Sequence, residues 1–129
     1  MPVSMRYGSD GNAGGRGGNS SLFTLLWSNP SPTSSFAAQT ISIDLNAYAW
    51  FAIEARWSTS SDLVIPLCIY KVDESRHIIS LSNDASNRTG GRQITYSISN
   101  QALTFEGGYY NGSASNASVI PIAIYGIKL

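Results

Sequence analysis

Residues 48–57 read Tyr-Ala-Trp-Phe-Ala-Ile-Glu-Ala-Arg-Trp. In this stretch Phe51, Ile53, Ala55 and Trp57 alternate with Trp50, Ala52, Glu54 and Arg56. A repeat of two is that of a β-strand, whose side chains leave on opposite faces in turn. A helix would need apolar positions three and four apart instead. The first set is predicted to face a core. The second set is predicted to face outward, with Glu54 and Arg56 close enough for a surface ion pair.

The same repeat extends in both directions. Upstream, residues 39–45 set Ile41, Ile43 and Leu45 against Thr40, Ser42 and Asp44. Residues 22–27 form an earlier strand, ended by Pro30, Pro32 and the serines up to Ser35. Downstream, residues 63–72 are apolar on both faces, which predicts cover on both sides. Pro66 within them marks a bulge or an edge. A short connection at 73–75 leads into 76–82. Residues 92–98 place Ile94, Tyr96 and Ile98 inward, and Ser99-Asn100 suits a hairpin turn into 102–106 with Leu103 and Phe105 inward. Residues 119–129 are the last strand, with Pro121 again at a bulge or an edge. Residues 83–91 and 107–118 read as long polar loops. About eight short strands and no 3.6-residue repeat predict an all-β fold, an antiparallel β-sandwich or jelly roll.

Composition supports this. The chain has 129 residues, enough for one domain with a real core. Only 12% of residues are charged, and the net charge is zero. The polar surface falls instead to 21 Ser, 7 Thr and 9 Asn, which favour turns and strand surfaces over helices. A neutral chain does not attract nucleic acid or an anionic membrane through bulk charge, so neither is an expected partner. No apolar run approaches the ~20 residues of a membrane-spanning helix, and no secretion signal follows Met1, so no membrane insertion is expected. Residues 1–20 are set apart, with six glycines between positions 8 and 18. A phosphate-cradling loop would need a strand before it and a helix after it, and the pattern offers neither. Residues 1–20 therefore read as a glycine-rich arm or linker, and residues 21–129 as the sandwich.

Groups suited to catalysis are few. His77 is the single histidine and Cys68 the single cysteine. A serine-hydrolase triad needs a histidine between a serine and an acid, and no G-x-S-x-G occurs. Glycoside hydrolysis needs two facing carboxylates, and the eight acids fall mostly in turns or on outward faces. No metal-ligand spacing appears. No catalytic residue, metal or cofactor is expected. Four N-x-S/T sequons, at Asn19, Asn87, Asn111 and Asn116, carry little weight in a chain so rich in Ser and Thr. The loops offer aromatic faces that stack on sugar rings, with amide, carboxylate and guanidinium groups that bond hydroxyls. Tyr109, Tyr110 and Asn111 form the best cluster, followed by Arg88 and Arg92, with Trp57 and Asp62 from the loop after residue 57.

The run from Trp27 through Ser-Asn-Pro-Ser-Pro-Thr-Ser-Ser to Phe36 and Ile41, followed by Leu45, Tyr48 and the strand at 51–56, resembles C-terminal modules of tail-fibre and tail-tip proteins. These belong to phages and prophages of gut and other Gram-positive bacteria. The ending Val119-Ile-Pro-Ile-Ala-Ile-Tyr-Gly-Ile-Lys128 is similar to the ending of the same modules. The resemblance spans residues 27–128 and rests on structural residues, so it carries over no binding site. It implies a compact β-sandwich on a virion, commonly a homotrimer, in contact with other virion proteins and with a host cell-surface glycan or protein. Trp27, Phe36, Tyr48, Phe51, Ile53 and Tyr125 are then expected in the core or between subunits. The modules usually end long chains with shaft repeats, whereas about twenty residues precede the sandwich here. An excised module or a free-standing small virion protein would both fit. The expected function is a non-enzymatic virion protein that contacts the host surface. The alternatives are a structural component without receptor (capsid decoration, head fibre or tail cap) and a carbohydrate-active enzyme domain.

Overall fold

The computed structural model describes residues 22–61, 64–83 and 88–128. The glycine-rich arm expected over residues 1–20 and the ligand candidate Asp62 lie outside the described residues. Among the described residues there are nine strands and no helix: β1 (Phe23–Ser28), β2 (Gln39–Ser42), β3 (Trp50–Ser58), β4 (Val64–Lys71), β5 (Arg76–Asn83), β6 (Arg88–Ser97), β7 (Ala102–Tyr110), β8 (Ser113–Ala114) and β9 (Ser118–Ile127). They form two antiparallel sheets, in the orders β1-β9-β3-β4 and β2-β7-β6-β5, with β8 on β7. The chain is an all-β sandwich, as its two-residue repeat predicts.

Alternation builds the core. Phe51, Ile53 and Ala55 of β3 meet Ile79 of β5, Ile94 and Tyr96 of β6, and Leu103 and Phe105 of β7. Phe36, Ile43 and Leu45 enter from the segments beside β2. The Phe36 ring stands edge-on to Phe105 at 5.1 Å between centroids, with Trp27 at 6.2 Å from Phe36. Edge-to-face contacts of this kind add about 0.5–1.5 kcal/mol beyond the area they bury. The Tyr96 hydroxyl accepts from Leu45 N at 2.9 Å and donates to Asn46 Oδ1 at 2.8 Å, so a buried polar tip is satisfied. Tyr48 is half-buried, and its ring covers Gly126, where a Cβ would come within 2.7 Å of ring atoms.

The ladders explain both prolines. Pro121 lies in β9, a central strand, where the pairing with β3 slips between Glu54 and Ala55. Pro66 lies in β4, an edge strand that also slips against β3, between Ile53 and Ala55. A residue that cannot donate to a ladder is tolerated at such places.

Several expectations change. Among the described residues, 88–91 and 107–110 are strand rather than loop, with Gly90, Gly91, Gly107 and Gly108 inside β6 and β7. The second strand ends at Ser42, although Ile43 and Leu45 stay buried. Ile98 is exposed, because β6 stops one residue before it. Glu54 and Arg56 do not lie on the surface: they are 3% and 8% exposed. Both lie on central strand β3 and are covered by its surroundings. The Tyr125 hydroxyl donates to Glu54 Oε1 at 3.2 Å, and Arg56 Nη1 donates to Pro32 O at 3.3 Å.

The outer face of the β1-β9-β3-β4 sheet is itself apolar. Ala52, Ala123, Tyr125 and Ile127 form a second buried cluster there, with Phe23, Leu67 and Ile122 against it. Register sets Leu25, Tyr125, Ala52 and Ile69 in one row across the four strands. Leu25 and Ile69, at its two ends, are each 55% exposed. The expected cover on both faces of the fourth strand is thus missing at Ile69.

The sandwich has two distinct ends. At one, Phe23, Ile127, Trp50 and Lys71 are neighbours in register, and Lys128 N donates to Leu22 O. At the other, Ser58 pairs with Ser118, and Thr59 N donates to Ala117 O at 3.0 Å.

Candidate functional site

The inner faces of the two sheets continue past the sealed core at the Ser58–Ser118 end. On β3 the inward set 51, 53, 55 is followed by Trp57. On β6 the inward set is Tyr96, Ile94, Arg92 and Gly90, and the next member is Arg88. Tyr110 of β7 is paired with Gly90, so it lies on that face diagonal to Arg88. These side chains border a cleft of about 510 Å³. One wall is Trp57 with the turn Ser58, Thr59, Ser60 and Ser61; the other is Arg88 and Tyr110; Ser115, Ala117 and Ser118 close the side. A volume of this size lies within the ordinary range for small-molecule sites.

The cleft has a fixed floor. Gly90 lets β9 approach closely: a Cβ there would stand 2.9 Å from Ser118 Oγ and 3.3 Å from Val119 Cγ2. Gly108 is as tightly held, with a Cβ falling against the carbonyl oxygens of Ser115 and Ser118. Val119 has φ of +53°. That is a strained backbone for a β-branched residue, and such outliers cost on the order of 1–3 kcal/mol. Arg92 holds it in place. Its Nε donates to Val119 O at 2.9 Å, Nη2 to Ser118 O at 3.1 Å and Nη1 to Glu106 O at 2.7 Å. The guanidinium also lies 5.2 Å from the centroid of the Phe36 ring. Burial pulls its pKa down to about 10, so it remains a cation at neutral pH.

The sequence candidates separate on this frame. Trp57, Arg88 and Tyr110 come together in the cleft. Arg92 does not belong with them: it is 1% exposed, and its donors are taken by backbone carbonyls. The expected cluster of Tyr109, Tyr110 and Asn111 is divided, because neighbours along a strand face opposite ways. Tyr109 points to a smaller cleft of about 360 Å³ with Gln93, Glu106, Ala114 and Asn116. Asn111 and Gly112 are the two-residue turn from β7 to β8, with φ of +48° and +85°. Positive φ at both positions is what primed hairpin turns demand. The Asn111 side chain is engaged, accepting from Thr89 N at 2.9 Å through Oδ1.

Ser115, Ala117 and Ser118 fall in the stretch 107–118 read as a loop and are not singled out there. Their residue types carry no signal, and only the turn after β8 brings them to the cleft. His77 lies at the opposite end of the sandwich, with Nε2 3.2 Å from both Lys71 O and Asp73 Oδ1 and its ring 5.2 Å from that of Tyr70. Hydrogen bonds from Ser75, then the neighbouring His77, hold the Asp73 carboxyl below its ordinary range. Among the described residues no three His, Cys, Asp or Glu side chains gather as a metal site would require. No family model, curated protein or solved structure matches the chain.

Proposed function

We propose that this chain is a non-enzymatic bacteriophage virion protein of tail-fibre type, which contacts the host cell surface and holds a glycan in the cleft at its Ser58–Ser118 end. The observation that carries the reading is the make-up of that cleft. Two aromatic side chains, one guanidinium and six Ser or Thr residues border one concave space. Aromatic faces suit the C–H faces of sugar rings, and short hydroxyl side chains suit ring hydroxyls. The resemblance of residues 27–41 and 119–128 to tail-fibre modules supports the virion setting. The protein would act as a homotrimer beside other virion proteins, and the apolar outer face of the β1-β9-β3-β4 sheet supports self-association. That face also favours a second reading, a purely structural virion component.

Binding of the purified protein to host cells and to a glycan array tests this. Wild-type protein should bind, and Trp57→Ala and Tyr110→Ala should each reduce binding at least roughly ten-fold while melting normally. Binding to particles but to no cell or glycan would favour the structural reading. Retention of full binding by both variants would remove the cleft from the account.

A further inference from the structure

We propose that the cleft selects saccharides bearing an acidic group, a carboxylate or a phosphate, and that Arg88 is the residue that receives it. This rests on the glycan reading above and narrows it to a ligand class.

Three observations converge on Arg88. It is the first residue of β6, on the face that carries Gly90 and Arg92, diagonal to Tyr110 across the ladder. Diagonal neighbours stand about 7–8 Å apart at their Cα atoms. A sugar ring lying on Tyr110 would therefore carry its substituents within reach of the guanidinium. Second, the donors of Arg88 have no partner among the described residues. The contrast with the two nearby arginines is sharp. Arg92, four residues along the same face, is spent on Glu106 O, Ser118 O and Val119 O. Arg56 donates to Ser61 O and Pro32 O. Third, Arg88 is the one charged side chain among the described residues that line the cleft. The protein as a whole is neutral, so any preference for charge must arise locally.

The chemistry follows from the fork. A guanidinium presents planar paired donors that match the two oxygens of a carboxylate or phosphate. A neutral hydroxyl can use only part of that array. Charge-assisted bonds are roughly twice as strong as neutral ones. The walls then divide the work. Trp57 and Tyr110 take the ring, the serine and threonine hydroxyls take ring hydroxyls, and Arg88 takes the acid. Because Arg88 is exposed, the preference should weaken with salt.

The test uses the whole chain, labelled with nitrogen-15, and three matched probes: methyl glucoside, the methyl glycoside of glucuronic acid, and glucose 6-phosphate. Each is titrated at low salt while the amide shifts of Gly90, Tyr110 and Ser118 are followed. At least one acidic probe should bind about ten-fold more tightly than the neutral one, with shifts centred on those amides. Arg88→Gln should abolish the preference, bringing the acidic probes down to the affinity of the neutral one, and Arg88→Lys should keep part of it. The two acidic probes separate a carboxylate from a phosphate ligand. Equal affinity for all three probes would overturn the proposal while leaving the glycan reading intact. A preference that survives Arg88→Gln would overturn it too. Shifts away from the cleft, or none with any probe, would overturn both readings together.

Discussion

Arg92 shows how one side chain can fix a site it never reaches. Its three donors tie the carbonyl oxygens of Glu106, Ser118 and Val119 and so hold the left-handed backbone at Val119. Hydrogen bonds to a charged donor contribute about 1.5–3 kcal/mol each, and carbonyls left buried without partners cost further. Arg92→Met keeps the bulk and loses all three bonds. It should lower unfolding stability in urea by about 3 kcal/mol or more. A loss under about 1 kcal/mol would mean that the strained turn is held by something else. The sequence already carried this residue's direction, because 92, 94 and 96 share one face and Ile94 and Tyr96 are inward. Charge argued the other way, and the repeat was the better guide. Glu54 and Arg56 differ: their outward face was legible, but its cover is supplied by residues distant in sequence, Tyr125 and Pro32.

At the scale of elements, the glycines of β6 and β7 are the instructive case. Glycine pairs with polar neighbours suggest a loop, yet Gly90, Gly91, Gly107 and Gly108 lie in paired strands. At Gly90 and Gly108 the reason is close approach of another strand or turn, which no local pattern can show. The Asn111-Gly112 turn is different, since an Asn-Gly pair is a strong local hairpin signal, and reading 107–118 as one loop passed over it. These two uses of glycine predict different outcomes. Gly112→Ala meets open space and suffers only its positive φ, at about 1 kcal/mol. Gly108→Ala pushes against the backbone oxygens of Ser115 and Ser118 and should cost more, about 1–3 kcal/mol. It should also shift the amide signals of Ser115 and Ser118 beside the cleft, whereas Gly112→Ala should leave them in place. Thermal melts and amide spectra of the two variants check this. Trp57, Arg88 and Tyr110 could be named from residue type alone, but their meeting depends on the register of β6 with β7 and of β3 with β9.

For the molecule as a whole, the two-sheet architecture follows from period-two patterning, while the strand order comes only from the ladders. The apolar row from Leu25 to Ile69 is exposed at its two ends, and among the described residues no third layer lies over it. If subunits associate through it, Leu25→Glu with Ile69→Lys should shift the mass seen by light scattering from trimer to monomer with the fold unchanged. An unaltered trimer would place the contact elsewhere. The two ends of the sandwich carry a further consequence. Leu22 and Lys128 lie side by side, and the nine residues of β3 run from there to Ser58, about 27 Å of strand. Leu22 and Lys128 thus lie at one end of the body and the cleft at the other. A carrier that grips it through the residues before Leu22 would hold Trp57, Arg88 and Tyr110 at arm's length, free of its own bulk and turned toward whatever it approaches.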